Sequence, residues 1–353
     1  MINKPTKIIV FDWGNTLMVD YVDQNGRMAD WSKVTAVDGA KEMLSKIHGS
    51  YQIVVATNAT DSSSADVMKA LQRVGLDSYI DLVYTFNELK ARKPDPHFFT
   101  SLTDILASYP QELIMIGDNY LNDILPAWQS GWHSIWFNPH NILAAGHLPV
   151  QESECKSLSE IPDLLISNKL PTVQKAISWY MQQGATYSLM AHVNAVAAIA
   201  YQMAVWLKKK GFQISPLLTH RGGLLHDISK LRETKNSNHA MEAYKFLLDK
   251  QQPELARIAA CHLIGDLKSE DYRPTTWEEK IVNYADKLTE GNQIVLLTER
   301  LMALQERYPQ FAEKIHENTP LVQSLESEIV TELETTPQNL LLDLKKALFN
   351  GHN

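Results

Sequence analysis

A histidine and an aspartate stand side by side at the end of an apolar run, and this pair constrains the fold more than any other feature of the sequence. The run reads Leu224-Leu225-His226-Asp227-Ile228-Ser229-Lys230. Water solvates both polar side chains well, so placing them beside buried leucines costs free energy unless a partner compensates. A bound cation is the obvious partner. The pair therefore predicts a metal site inside a folded core.

Four more candidate ligands lie in, or at the end of, segments with helical apolar spacing. His192 lies in LMAHVNAVAAIAYQMAVWL, His239 in NSNHAMEAYKFLLD, His262 in ELARIAACHLIGD and Asp286 in WEEKIVNYADKL. Any one of these histidines alone is more simply a core residue with ordinary hydrogen bonds. All six side chains together, in this order, favour a metal centre.

The order His, His-Asp, His, His, Asp resembles that of the HD superfamily of metal-dependent phosphohydrolases, and HDISK, HAMEAY and TWEEKIVNYADK are similar to its HDIG branch. The resemblance implies a minimal metal motif of His192, His226, Asp227 and Asp286. It implies that His239 and His262 match the extra ligands of members with two metals, and that Lys230 contacts a substrate phosphate. Imidazole and carboxylate ligands suit Mn²⁺, Fe²⁺, Co²⁺ or Ni²⁺, with Zn²⁺ also compatible.

The first half of the chain alternates short apolar runs with helical segments. The predicted strands are Lys7–Phe11, Tyr51–Ala56, Ile80–Tyr84, Leu113–Ile116 and Ser134–Phe137, and helices are predicted at Val37–Lys46 and Asp66–Val74. This alternation predicts a parallel, doubly wound α/β sheet. Ligands of such sheets bind beyond the carboxyl ends of the strands, where Asp12, Thr57 and Asp118 stand.

Four motifs at these strand ends, FDWGNTL, ATNAT, KARKPDP and GDNYLND, resemble those of the haloacid dehalogenase superfamily of phosphatases. The resemblance implies that Asp12 is the aspartyl nucleophile, that Thr57 holds phosphoryl oxygens and that Lys93 neutralises charge. It implies that Asp118 and Asp123 position Mg²⁺ together with Asp12. Simpler interpretations exist for single motifs, since KPDP also suits a turn and GDNYLND an Asx-rich capping loop. In the implied chemistry a carboxylate attacks phosphorus, while a cation and a lysine offset charge.

Position 14 departs from the resembling family, which carries a general acid and base two residues after the nucleophile. This chain has Gly14 there. Loss of such a group typically costs about 10²–10⁴-fold in rate. Three interpretations stay open: a slow phosphatase, a site with another proton carrier, and a phosphate-binding relic. Asp20 and Asp23 are nearby in sequence, but the sequence does not place them near the reacting groups. A glycine required by an unusual backbone conformation is a further alternative.

The cap domains of the resembling family are predicted to be minimal or absent. Only Leu17 to Asp38 separates the first motif from the next helix, and Asn58 to Lys93 is predicted to hold one helix and one strand. An uncapped site suits a large substrate or a surface that another domain covers. Trp13 and Trp31 would then either close the opening or serve ordinary packing.

Length and composition limit the remaining alternatives. The 353 residues suit two domains, predicted as residues 1–168 and an all-α domain over residues 169–353. The net charge of −8 disfavours broad nucleic-acid binding, although the end of a nucleic acid stays an alternative substrate. Cys155 and Cys261 are too few and too far apart to indicate a disulfide framework. We expect no membrane partner and a cytoplasmic location, because no apolar run of spanning length and no signal-peptide pattern is recognised.

These features predict a phosphohydrolase whose helical domain cleaves a phosphoester or phosphoanhydride bond of a small substrate, a nucleotide above all. In the alternative, the α/β domain is a catalytically retired phosphate-binding or docking module that regulates the helical enzyme. In a third interpretation both sites act in sequence, because opening a phosphodiester leaves a monoester. Oligomeric state stays open.

Overall fold

The computed structural model describes residues 7–167, 170–232 and 238–349. The chain divides into two compact units, Met1–Ala145 with Val150–Lys169, and Gly146–Pro149 with Leu170–Asn353. The predicted boundary between residues 168 and 169 lies outside the described residues.

A parallel sheet of six strands forms the centre of the first unit, which confirms the predicted α/β class. The strands are β1 Ile8–Phe11, β2 Gln52–Ala56, β3 Leu82–Tyr84, β4 Leu113–Gly117, β5 His133–Phe137 and β6 Ser153–Cys155. Their order across the sheet is β3-β2-β1-β4-β5-β6, so the direction of winding reverses between β1 and β4. Ligands of open α/β sheets bind at such a switch point.

Alternate side chains of strands β1 to β4 enter two separate apolar clusters, one on each face of the sheet. Ile9 and Phe11 pack in the first cluster, whereas Ile8 and Val10 pack in the second. Helices α1 Ala40–Ile47, α2 Ser64–Arg73 and α6 Ile161–Ile166 contribute to the first cluster, and α3 Phe86–Leu89, α4 Pro96–Ile105 and α5 Leu125–Gln129 contribute to the second. This burial on both faces explains why the central strands β1, β2 and β4 are almost entirely apolar.

Two details of the first unit differ from the sequence-based expectations. Strand β6 was not predicted, because its sequence Ser-Glu-Cys lacks an apolar run and its pairing with β5 is what makes it a strand. The interval from Asn58 to Lys93 contains α3 in addition to the predicted helix and strand, because Thr85 and Glu88 form a capping box there. Among the described residues 17–38, only a short turn at Met28–Asp30 is helical.

Helices make up nearly all of the second unit. They are α7 Val173–Gln182, α8 Tyr187–Lys209, α9 Pro216–Leu225, α10 His239–Asp249, α11 Pro253–Ala260, α12 Trp277–Lys287, α13 Leu297–Arg307, α14 Ala312–Glu332 and α15 Pro337–Phe349. A capping box between Thr276 and Glu279 begins α12. A small hairpin, β7 Thr289–Glu290 with β8 Gln293–Ile294, interrupts the otherwise helical unit.

Helix α8 corrects the expectation that no apolar run has spanning length. It has 23 residues, and its most apolar window has a mean hydropathy of 1.3, which satisfies the length and composition of a membrane span. The same window is 56% buried, and α8 packs against α9 and α12. A helix enclosed by other helices is apolar around much of its circumference, so composition alone does not distinguish a buried core helix from a membrane-spanning helix.

Two glycines let α9 approach its neighbours closely. A Cβ atom added at Gly223 would lie 2.9 Å from Ala197 Cα and 3.2 Å from the Val196 carbonyl oxygen of α8. A Cβ atom at Gly222 would lie 2.8 Å from Ile258 Cγ2 of α11. Because His226 follows directly after α9, this close packing sets the position of the histidine in the core.

We expect Gly223→Ala to lower the free energy of unfolding by about 1–3 kcal/mol, because the new methyl group meets backbone atoms that cannot rotate away. Calorimetric melting of the full chain measures the effect. Gln323→Ala on the exposed side of α14 is the control and should shift stability by no more than about 0.5 kcal/mol. Equal melting of both variants would contradict the inferred close contact.

Candidate functional site

The second unit brings all six predicted metal ligands into one cluster. His192 lies on α8 and Asp286 on α12, His226 and Asp227 directly follow α9, His239 begins α10, and His262 lies just beyond the end of α11. Donor atoms of His192, His226 and Asp286 lie within 4.8 Å of one another, as do those of His226, Asp227 and His262. His239 Nε2 lies 3.1 Å from both His262 Nε2 and Asp227 Oδ1. The ligands therefore form two adjacent sets that share His226.

Backbone carbonyl groups orient three of the four histidines. The Nδ1 atoms of His192, His226 and His262 lie 3.0, 2.7 and 2.6 Å from the carbonyl oxygens of Gly291, Gly223 and Ala259. A carbonyl oxygen only accepts, so each Nδ1 carries the proton and donates it. In a neutral imidazole the Nε2 atom then keeps its lone pair for a metal ion.

The environment of His226 Nε2 tests whether a metal fits. This atom is buried and has no hydrogen-bond partner among the described residues. Its carboxylate neighbours, Asp227 Oδ2 and Asp286 Oδ1, lie 3.7 and 3.9 Å away, too far for a hydrogen bond. Leaving a buried acceptor unsatisfied costs about 1–3 kcal/mol. A divalent cation between these atoms would remove that cost, so the donor set fits the metal that the sequence predicted.

The charges of the cluster also suit a cation. Burial lowers the pKa of His226 to about 3, so the ring is neutral. Burial raises the pKa of Asp227, but the adjacent histidines and Lys230 outweigh it and hold that pKa well below its usual range. Burial also raises the pKa of Asp286. Lys287, whose Nζ atom lies 2.7 Å from Asp286 Oδ2, opposes this effect, and so does His192. Together they hold the pKa of Asp286 well below its usual value. Both carboxylates are therefore anionic ligands.

A cavity of about 280 Å³ opens beside the ligand cluster. Lys230, predicted as a phosphate contact, lines it, and its Nζ atom lies 3.7 Å from Asp227 Oδ1. Arg300 also lines it, and its Nη2 atom lies 3.6 Å from Asp286 Oδ1. Sequence reasoning missed Arg300 because it lies in a helix without any recognised motif.

The first unit brings the second predicted constellation together at the switch point. Asp12, Thr57 and Asp118 directly follow β1, β2 and β4. Asp12, Asp118 and Asp123 have donor oxygens within 4.8 Å of one another. The buried Lys93 donates hydrogen bonds to Asp12 Oδ1 at 2.5 Å and to Asp123 Oδ1 at 2.6 Å.

Two further residues shape this constellation. A Cβ atom at Gly117 would lie 2.5 Å from Asp123 Cγ, so the glycine is what lets Asp123 approach the strand end. Thr16 Oγ1 lies 3.3 Å from both Asp12 Oδ2 and Asp118 Oδ1. Thr16 belongs to the FDWGNTL motif, although no role was predicted for it.

Crowding of like charges governs the electrostatics here. Burial, assisted by the charge of Asp12, raises the pKa of Asp118 to about 6. Burial raises the pKa of Asp123 to about 7, against the opposing effect of Lys93. Burial lowers the pKa of Lys93, but Asp12 and Asp123 outweigh it and raise that pKa above its usual value. One lysine thus faces three carboxylates, and a divalent cation such as Mg²⁺ would balance the excess negative charge.

A cavity of about 390 Å³ opens on Asp12, Thr57, Lys93 and Asp118. Trp13 and Trp31 are buried and line this cavity, so they combine packing with closing its wall. Trp13 Nε1 has no hydrogen-bond partner among the described residues and is available as a donor at that wall.

Gly14 lines the same cavity without an unusual backbone conformation. Its φ lies outside the left-handed range, so the structure does not support the alternative that only glycine suits this position. A Cβ atom added at Gly14 would make ordinary contacts, 3.6 Å from Asp20 Cβ and Oδ2. Asp20, unlike Asp23, lines this cavity.

We expect Lys93→Met to lower the free energy of unfolding by about 3–5 kcal/mol in the presence of a chelator, because it leaves the buried Asp123 and the partly buried Asp12 without their cation. Added Mg²⁺ should restore part of the loss by binding the folded carboxylates. Calorimetry with and without Mg²⁺ measures both effects. Lys46→Met, at an exposed lysine of α1, is the matched control. Identical melting of the two variants would contradict the charge balance inferred here.

Comparison with known families gives two separate matches. A model described as haloacid dehalogenase-like hydrolase matches residues 10–137, and a model described as HD domain matches residues 189–291. Each predicted resemblance thus has a matching model in the expected half of the chain.

Known proteins match the first half of the chain. The chain is 32% identical over 145 residues to an uncharacterized protein of Methanocaldococcus jannaschii, covering 38% of this chain and 85% of that protein. It is 29% identical over 140 residues to a pyrimidine 5′-nucleotidase of Streptococcus pneumoniae, covering 39% of this chain and 57% of that enzyme. A solved structure of an uncharacterized protein from Listeria monocytogenes serotype 4b is 25% identical, with a TM-score of 0.41, covering 45% of this chain and 97% of that one.

Proposed function

Because the chain belongs to the haloacid dehalogenase-like hydrolases through residues 10–137 and carries an HD domain at residues 189–291, we propose that it is a metal-dependent phosphohydrolase that acts on a nucleotide at the HD site. The bond cleaved is a phosphoester or phosphoanhydride. We assign this activity to residues 169–353 and the dehalogenase-like fold to residues 1–168. The substrate is small and phosphorylated, and we propose a cytoplasmic location.

One observation carries the proposal: the Nε2 lone pairs of three carbonyl-bound histidines and two anionic carboxylates converge beside a cavity of about 280 Å³. The residues that would hold one or two ions of Mn²⁺, Fe²⁺, Co²⁺ or Ni²⁺ are His192, His226, Asp227, His239, His262 and Asp286. Such an ion supplies Lewis acidity and an activated water molecule. The buried, oriented ligands keep the centre rigid, because each Nδ1–H bond fixes its ring.

Two cationic side chains at the cavity wall complete the arrangement. Lys230 and Arg300 both line the cavity close to the ligand carboxylates. Their charges would bind the nonbridging oxygens of a phosphoryl group and orient it toward the ligand cluster. They would also stabilise the negative charge that grows on those oxygens during hydrolysis.

The α/β site supports a second function, hydrolysis of a phosphomonoester with Mg²⁺ held by Asp12, Asp118 and Asp123. The specific observation is the 2.5 Å contact between Lys93 Nζ and Asp12 Oδ1 at the floor of an open cavity. In this reaction a carboxylate oxygen of Asp12 bonds to phosphorus as the ester P–O bond breaks, and the leaving alkoxide takes a proton from water or from a protonated carboxyl group in the cavity. Water then hydrolyses the acyl phosphate and restores the carboxylate. The retired-module alternative instead requires phosphate binding without turnover.

Two isosteric variants test which site catalyses which reaction. We expect Asp227→Asn to reduce hydrolysis of nucleotides by at least about 100-fold, because an amide replaces an anionic metal ligand. Asp12→Asn should spare most of that activity and abolish Mg²⁺-dependent hydrolysis of simple phosphomonoesters. A panel of nucleotides and monoesters, assayed with each variant in the full chain, measures both effects.

Elemental analysis of the same preparations provides the control. Wild-type protein purified without chelator should contain up to about two transition-metal ions per chain, and Asp227→Asn should contain fewer. The opposite activity pattern, in which Asp12→Asn alone abolishes nucleotide hydrolysis, would assign the main reaction to the α/β site instead.

A further inference from the structure

We propose that the wall of the HD-site cavity formed by α13, α14 and the turn between them is a nucleoside subsite, which binds the base of the substrate while the ligand cluster holds its phosphate. The inference rests on the function proposed for the same site and adds recognition of the base, which the metal centre would not contact. The wall residues that carry it are Arg300, Tyr308, Phe311, Lys314 and Asn318, all beyond residues 189–291.

Asn318 supplies the observation that points to a ligand. The side chain is only 1% exposed, and its Nδ2 atom donates a hydrogen bond to the Lys314 carbonyl oxygen at 2.7 Å. Its Oδ1 atom is buried without a hydrogen-bond partner among the described residues, although the residue lines the cavity. An unsatisfied buried acceptor is costly, so a donor from a bound molecule is its natural partner. The exocyclic amine of a nucleobase is such a donor.

Two aromatic side chains on the same wall suit the face of a base. Tyr308 and Phe311 flank the short turn between α13 and α14, and they remain 36% and 53% exposed. Single exposed aromatics need no explanation, but these two line one cavity together with the apolar Leu304 and Ile315. Stacking of a base on an aromatic ring contributes about 1–3 kcal/mol.

Positive charge on the wall suits the phosphate end of the same molecule. Arg300 lies beside the ligand Asp286, and Lys314 lies over Gly265, where an added Cβ atom would be 3.3 Å from Lys314 Nζ. The absence of a side chain at Gly265 lets this lysine occupy the cavity wall. The cavity thus joins metal ligands and cations to an apolar, aromatic part with a free acceptor. This combination of surfaces matches phosphate and base of a nucleotide.

Nucleoside binding to the full chain tests the subsite without any need for hydrolysis. Titration calorimetry with adenosine, guanosine, cytidine and uridine should detect binding of at least one nucleoside whose base carries an exocyclic amine. Uridine, which lacks that amine, should bind more weakly. Asn318→Ala and the surface variant Tyr308→Ala should each raise Kd by about tenfold, while Gln323→Ala on the same helix as Asn318 should not change it. Absence of binding by all four, or equal affinities of wild type and both variants, would overturn the proposal.

A kinetic comparison separates this inference from the proposed function. In the Asp12→Asn background, which removes the monoesterase reaction of the α/β site, the two cavity variants should lower kcat/KM for a nucleoside monophosphate about tenfold. They should lower kcat/KM for ribose 5-phosphate, which has no base, by much less. Equal losses on both substrates, or none on either, would overturn the subsite and leave phosphohydrolase activity standing. If the wild type hydrolysed no nucleotide but nucleosides still bound through Asn318, the reaction would be wrong and the subsite right.

A different observation carries a second inference, on the α/β site. We infer that Asp20 is the general acid and base that position 14 lacks. The place where a Gly14 side chain would begin lies 3.6 Å from Asp20 Oδ2, so the carboxyl group of Asp20 covers the glycine. Both Asp20 and Asp12 line the same cavity. The backbone N–H of Asp20 donates a hydrogen bond to Asn15 Oδ1 at 3.0 Å. This bond holds the backbone of Asp20 close to the loop that follows Asp12.

The proton balance of the reaction assigns two steps to Asp20. Its protonated carboxyl group gives a proton to the alkoxide that leaves as Asp12 bonds to phosphorus. The resulting carboxylate then takes a proton from the water molecule whose oxygen attacks the acyl phosphate. Phosphate is released, Asp12 returns to a carboxylate, and Asp20 is protonated again. This inference rests on the second function proposed above.

We expect Asp20→Asn to lower kcat for phosphomonoesters by about 100-fold or more with little change in KM, and to flatten the pH profile of kcat. Gly14→Asp added to Asp20→Asn should raise kcat at least about tenfold, because it places a carboxyl group in the space beside Gly14 that the Asp20 carboxyl group occupied. Asp23→Asn, outside the cavity, is the matched control.

Each result of this experiment has one meaning. A wild-type rate and pH profile in Asp20→Asn would overturn the role of Asp20 and leave the monoesterase standing. Absence of monoesterase activity in the wild type and in Gly14→Asp would reject that function and this role together.

Discussion

A hydrogen bond from a histidine to a carbonyl group at the end of a helix is the interaction on which the helical site depends. The last carbonyls of a helix have no partner within it. Gly223 and Ala259 occupy such positions, and His226 and His262, three residues later, donate Nδ1–H to them. The same bond therefore satisfies the helix end, fixes the imidazole tautomer and aims Nε2 at the centre of the cluster. One hydrogen bond thus both ends the helix and orients the ligand.

The two sites solve the problem of concentrated negative charge differently. The α/β site places one lysine among three carboxylates and keeps two of them at raised pKa values. The helical site surrounds two carboxylates with neutral or cationic groups, and their pKa values fall. The α/β cluster offers only carboxylate oxygens, whereas the helical cluster offers imidazole nitrogens as well, so the two donor sets differ in chemistry. A divalent cation that binds only the folded form of either site would stabilise that fold.

Local chemistry explains what the sequence could predict. Strand and helix alternation gave the α/β class, and the motifs located Asp12 and His226 because ligand types and spacing are visible in the chain. Strand β6 and the wall around Asn318 were missed, since pairing and cavity formation depend on distant contacts. Helix α8 was misjudged for a related reason: enclosure by other helices makes a core segment as apolar as a membrane span. Asp20 could not be placed because the loop that folds it over Gly14 has no periodic signal.

The glycine pair of α9 has a consequence for how this site comes into being. Each glycine weakens an isolated helix by about 1 kcal/mol, so the segment before His226 would hardly be helical on its own. Its helical form exists because α8 and α11 press against it. A peptide carrying the histidine–aspartate pair would therefore present two disordered side chains. Grafting the pair into another protein would transfer the two residues without the geometry that makes them ligands. The geometry of the ligands is therefore a property of the assembled core and not of the local sequence.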